Sequence, residues 1–136
     1  MSRPRPETSV GAVVVHEAEL LLIQRGRGAA VGQWSVPGGR VEFGETLSAA
    51  VEREVAEETG LQVACGPFIG HVERFGPDYH YVILDFHATL TGPPGPLHAA
   101  DDAQAARWVP LTEVQQVDLV AGMAEFLVEH GIIPRP

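Results

Sequence analysis

Lysine is absent from the 136 residues, so every one of the nine basic side chains is an arginine, set against eighteen acids for a formal charge of −9. The arginines are scattered rather than gathered into a stripe. A protein that grips a nucleic-acid backbone needs such a stripe, and this chain is not expected to be one. There is one cysteine, Cys65, which excludes an intramolecular disulfide and any CxxC zinc spacing. Its expected place is that of a small buried hydrophobe. No apolar run approaches the 18 residues of a membrane span, and MSRPRPET has no apolar signal region. The expectation is a cytoplasmic protein with no membrane partner.

What the chain does contain is 45% hydrophobic and 20% charged residues, the balance of a globular domain. Its length suits one domain with a core that needs no metal or disulfide staples. Residues 1–7 read as a flexible arm, and residues 8–136 as the domain. There are no internal repeats.

Strands are expected at Val10–His16 and Leu20–Gln24, joined by a hairpin turn without glycine, then at Leu61–Ala64, Phe68–Phe75, Tyr79–Leu90 and Ala106–Pro110, while Trp34–Gly39 runs from a short extended segment into a turn. Leu111–Val114 starts a short helical turn. Asp118 is read as the N-cap of a helix over Leu119–Glu129, closed by Gly131. The glycine-rich RGRGAAVGQ, residues 25–33, lacks the GK[ST] ending of a phosphate loop and is rejected as one. The stretch from Thr91, TGPPGPLHAADDAQ, reads as a surface loop. Trp34 is taken as a packed aromatic that braces the turn at Pro37–Gly39.

The densest chemistry lies in Gly39–Leu61, GRVEFGETLSAAVEREVAEETGL. Thr46 is a good N-cap, the interior is alanine, glutamate and leucine, and Gly60 stands where a C′ glycine ends helices, so a helix is expected over Thr46–Thr59. Steps of about 100° align Leu47, Val51, Glu54 and Glu58 in one stripe, with Ala50 and Glu57 beside it. Carboxylates thus share the inward side with apolar residues. Like charges at i+4 destabilise a helix by roughly 0.2–0.5 kcal/mol per pair. A solvated acidic face tolerates that, whereas a half-buried one needs a cation. Oxygen ligands without cysteine or histidine nearby suit a hard ion, Mg²⁺ or Mn²⁺. His71, His80 and His87 stand too far apart to be read as a metal set. Arg53, beside these acids, can pair with a neighbouring carboxylate and lower its pKa.

The spacing as a whole, Gly39, five residues, Glu45, seven residues, then Arg53-Glu54-Val55-Ala56-Glu57-Glu58-Thr59-Gly60-Leu61, resembles the complete signature of the Nudix hydrolases. Every fixed position is filled, over 23 of 136 residues. The resemblance implies an α/β/α sandwich around a mixed β-sheet, and hydrolysis of a nucleoside diphosphate linked to a second moiety. It implies metal held by Glu54, Glu57, Glu58 and the Gly38 carbonyl, with Arg53 and Glu45 organising the site and Gly39 and Arg25 near the substrate. The general base is left between a glutamate of this signature, the box, and Asp102, which sits where the family often has an acid.

For substrate the chain looks most like the short ADP-ribose pyrophosphatase branch, and Pro77, 16 residues past Leu61, fits that branch. Tyr79 fits dinucleoside polyphosphate hydrolases instead. A (d)NTP pyrophosphohydrolase and a non-catalytic nucleotide sensor stay as alternatives. A homodimer is compatible with the family and has no residue-level signal here.

Overall fold

The fold is that of a computed structural model, which describes residues 4–28, 30–100 and 103–136. Strands β1 (Glu7–His16) and β2 (Glu19–Arg25) are antiparallel and joined through Glu17 and Ala18, both at positive φ, 49° and 62°. Paired positive φ values give the tight turn whose twist matches the strands it joins. Here it is made without glycine. β1 starts at Glu7, so the sheet takes in the last residue of the expected arm.

β1 and β2 pair only at Val15–Leu20 and His16–Glu19, and then they part. Residues 34–40 fill the gap. β3 (Trp34–Ser35) pairs with Ile23 and Gln24 of β2, and β4 (Gly38–Arg40) pairs with Ser9–Gly11 of β1. Between them the Ala12 N–H donates to the Pro37 carbonyl at 2.8 Å. The Pro37–Gly39 turn is thereby fixed where the two strands separate.

The other edge of β1 runs parallel to β6 (His80–Leu90), from Glu7–Tyr81 to Val14–Ala88. β6 in turn is antiparallel to β5 (Val63–Phe75). The two expected strands 61–64 and 68–75 are one long strand with register shifts around Phe68. β7 (Ala103–Pro110) lines the outer edge of β2, three residues longer at its start than expected. The result is a seven-stranded mixed sheet.

Alternation along the strands sends side chains to two cores. Val10, Ala12, Val14 and Leu21 pack with Ala50, Val51 and Val55 of helix α1 (Leu47–Thr59). Val13, Leu20 and Leu22 pack with Phe126 and Leu127 of helix α2 (Met123–Glu129). This is the expected α/β/α arrangement.

Helix α2 is shorter than the sequence suggests. Residues 118–120 do not open it but add to the sheet, the Trp34 N–H donating to Asp118 O and the Val120 N–H to Trp34 O, at 2.8 and 2.9 Å. Asp118 instead accepts from Gln33 Nε2 at 3.1 Å, and Gly122 stands at the helix start. Trp34 is a packed aromatic as expected, against the α2 core, but its backbone joins residues 118–120, and the Arg107 guanidinium lies 5.0 Å from its ring. Cys65 is only partly buried, against the expectation, packed at the rim of the α1 core where the β5 register shift begins. None of the described helices is long and apolar enough to cross a membrane.

Candidate active site

Helix α1 is anchored at both ends by the residues read as caps. Thr46 Oγ1 accepts from the Ala49 N–H at 3.1 Å, and Gly60, at φ 80°, donates its N–H to Ala56 O. Burial of Ala50, Val51 and Val55 then turns Glu54 and Glu58 toward β4.

Glu58 is buried at 5% exposure and accepts the Gly38 N–H at 2.8 Å. Gly39 faces the same helix, and a Cβ there would stand 2.6 Å from the Glu54 carboxylate. The glycine pair is what lets a strand backbone approach two carboxylates this closely. Glu57 lies further out, with 43% of its side chain exposed.

Arg53 ties the cluster together. Its Nε and Nη2 donate to the two oxygens of Glu45, at 2.7 and 2.9 Å. Nη1 donates to Glu54 at 2.8 Å and to Glu57 at 3.3 Å, while Nη2 also reaches the Arg40 carbonyl at 3.0 Å. The Arg53 guanidinium first, and then the Glu42 N–H, hold the Glu45 carboxyl down at about 2, while Glu45 first, and then Glu54, raise the Arg53 pKa against its partial burial. One guanidinium thus faces Glu45, Glu54, Glu57 and, at 3.7 Å, Glu42. The cluster is net negative before Glu58 is counted.

The donor set fits a hard divalent cation in its chemistry, being all oxygen, partly desolvated and in excess of the available positive charge. Among the described residues no three His, Cys, Asp or Glu groups converge to coordinate a metal. Glu54 and Glu57 both turn to Arg53 Nη1 here.

Other residues singled out in the sequence lie elsewhere. Asp102 falls outside the described residues. Arg25 ends β2, close enough to Arg74 of β5 for its charge, after burial, to depress the Arg74 pKa. His80 pairs with Glu73 at 3.0 Å and stacks on Phe75, His71 and His87 are exposed, and Tyr79 stacks on Tyr81. Sequence reading missed Asp85, which is 4% exposed and pushed up to about 7 by burial, against the opposing pull of Arg74. Its one sequence signal is an acid inside the apolar run VILDF.

Residues 5–129 match the NUDIX domain. The chain belongs to the Nudix family. This Nudix domain is 32% identical over 114 residues to the ADP-ribose pyrophosphatase of Methanocaldococcus jannaschii, covering 82% of the chain and 66% of that protein. It is 41% identical over 101 residues to the 8-oxo-dGDP phosphatase NUDT18 of Homo sapiens, covering 71% of the chain and 29% of that protein. The chain thus spans just under two thirds of the first of these relatives and less than a third of the second. The MutT protein from Methanosarcina mazei Go1 has the same fold, with a TM-score of 0.82, 26% identity and 96% of each chain covered.

Proposed function

We propose that this Nudix domain is a pyrophosphohydrolase dependent on Mg²⁺, or on Mn²⁺ in its place, that cleaves the diphosphate linkage of nucleoside diphosphate derivatives. ADP-ribose, hydrolysed to AMP and ribose 5-phosphate, is the favoured substrate. The observation that carries the reading is the carboxylate cluster in which Glu54 and Glu58 meet the Gly38–Gly39 backbone and Arg53 binds Glu54 and Glu57.

A diphosphate resists attack by water because its oxygens are negative. A divalent cation, when bound, would supply the charge neutralisation and the lowered pKa of a water that this chemistry needs. Glu54, Glu57, Glu58 and the Gly38 carbonyl are the residues to hold it. Arg53 keeps Glu54 and Glu57 aligned, and Glu45, ionised at all ordinary pH values, keeps Arg53 aligned. The proton of the attacking water passes to a carboxylate, either a box glutamate or Asp102. Arg25, Gly39 and Glu45 border the path of the substrate. The setting is taken to be cytoplasmic, and the catalytic domain to be residues 8–136 together with Glu7, which opens its first strand.

The name of the archaeal relative supports ADP-ribose. The human relative supports a second reading, clearance of damaged nucleotides, through the same cluster. A Mg²⁺-dependent product assay on ADP-ribose, 8-oxo-dGDP, dATP and diadenosine tetraphosphate separates them. AMP plus ribose 5-phosphate at the highest kcat/KM is the expected result. Glu57→Gln should lower kcat by several orders of magnitude with the fold intact, and turnover within about tenfold of wild type would overturn the metal assignment. Asp102→Asn tests the alternative base.

A further inference from the structure

β5 is the longest strand of the sheet and stands at its edge, with β6 as its one strand partner among the described residues. From Phe68 to Phe75 its outer side enters no other backbone hydrogen bond among those residues. Such an edge is a template for another strand, and chains ordinarily blunt it with lysine, proline or a bulge. In β5 the proline, Pro67, and the register shifts lie before or at Gly70. Gly70–Phe75 runs on with neither.

The register shift also sorts the outward side chains of β5 into one row. Phe75, Glu73, His71 and Phe68 stand opposite His80, Val82, Leu84 and Phe86 of β6, and the even steps on β6 put all four on one face. All four are exposed, Phe68 to 53% and Phe75 to 67%. Glu73 meets His80 through Oε2, at 3.0 Å, so Oε1 remains to accept from another donor.

We infer that β5 is the seam of a homodimer, two copies of this chain pairing their β5 strands antiparallel about a two-fold axis at Val72. A second copy fits because it carries the same row in reverse. The axis at Val72 sets Glu73 against the partner's His71 and Phe75 against the partner's Phe68, each contact made twice. Opposite charges and aromatic pairs across strands are the stabilising combinations. On the other face Gly70 lies opposite the partner's Arg74, the smallest residue against the longest. Neighbouring axes fail. At Glu73 the two acids oppose each other, and at His71 the two histidines do, with Glu73 then facing the partner's Phe68. The pairing joins two sheets into one and covers two exposed phenylalanines.

Sedimentation equilibrium of the full chain is the test. Wild type should be a dimer at about 100 µM, a concentration that populates even a modest homodimer. His71→Glu sets acid against acid at both contacts and should raise the dimer Kd about tenfold or more. Adding Glu73→Lys to it restores opposite charges and should return Kd to within about threefold of wild type. Amide exchange over Gly70–Phe75, which needs no variant, should be slower at about 100 µM than at about 1 µM. A wild-type monomer at the higher concentration would leave the edge to another protein's strand or to none, and would overturn the inference. So would exchange that ignores concentration, a Kd that His71→Glu leaves unmoved, or a loss that Glu73→Lys does not repair. Each readout is independent of what the carboxylate cluster hydrolyses, so failure here leaves the proposed function standing.

Discussion

Arg53 and Glu45 form a two-pronged ion pair, Nε and Nη2 each donating to one carboxylate oxygen, across the loop that leads into the helix carrying the other acids. The pair explains how one cation serves so many anions. Glu45 fixes the plane of the guanidinium, and the remaining Nη1 edge is then directed at Glu54 and Glu57. Because the Glu45 pKa is lowered from 4.5 to about 2, the pair stabilises the fold above the ordinary glutamate range. That contribution is lost only as the pH falls toward 2.

Lysine at position 53 keeps the charge and loses the fork. Arg53→Lys should therefore lower kcat about 10- to 100-fold, the usual cost of removing a residue that orients metal ligands. The Glu45 carboxyl should rise toward 4.5, visible in a carboxylate NMR titration. A variant with wild-type kcat and an unmoved Glu45 would show that the fork has no positioning role.

Gly39 has no room to grow. A Cβ placed there would lie 2.6–2.7 Å from three atoms of the Glu54 carboxyl group. Gly39→Ala should push Glu54 off the cluster and weaken Mg²⁺ dependence, raising the metal concentration for half-maximal activity about tenfold or more. Thermal unfolding should move by only a few degrees, since the residue belongs to a three-residue edge segment and not to either core.

Thr46 offers a test of the scaffold alone. Its side chain satisfies the Ala49 N–H at the start of the helix that bears every box glutamate after Glu45. Thr46→Ala should cost about 1 kcal/mol of stability, read as a lower Tm, with kcat nearly unchanged at temperatures where the protein is folded.

Local chemistry made helix α1 legible, because a capping threonine, a run of helix formers and a C′ glycine act within one segment. The cluster was legible for the same reason, as four of its five acids sit on that helix or within a few residues of it. The start of α2 was not. Asp118 is as good an N-cap by type as Thr46, but Trp34, eighty-four residues away in sequence, takes residues 118–120 into the sheet. Asp85 was hidden likewise. Its burial depends on parallel pairing that sets it against Gly11, and parallel partners lie a whole crossover apart in the chain.

Asp85 also makes a prediction that needs no ligand. Its folded pKa is raised from 3.8 to about 7, chiefly by burial. Unfolded chains ionise this group near pH 4, whereas the folded protein keeps it protonated up to about 7. Whatever stability it gives is fully present below pH 4 and is lost as the pH rises through 7. The shift sets an upper bound of roughly 4 kcal/mol on that loss. Asparagine at this position cannot ionise. The difference in stability between Asp85→Asn and wild type, followed by urea unfolding, should therefore move steadily in favour of the variant as the pH rises from about 4 to about 7, and level off above that. A difference that stays constant with pH would mean that Asp85 is ionised throughout, with a cation or water beside it to hold the charge.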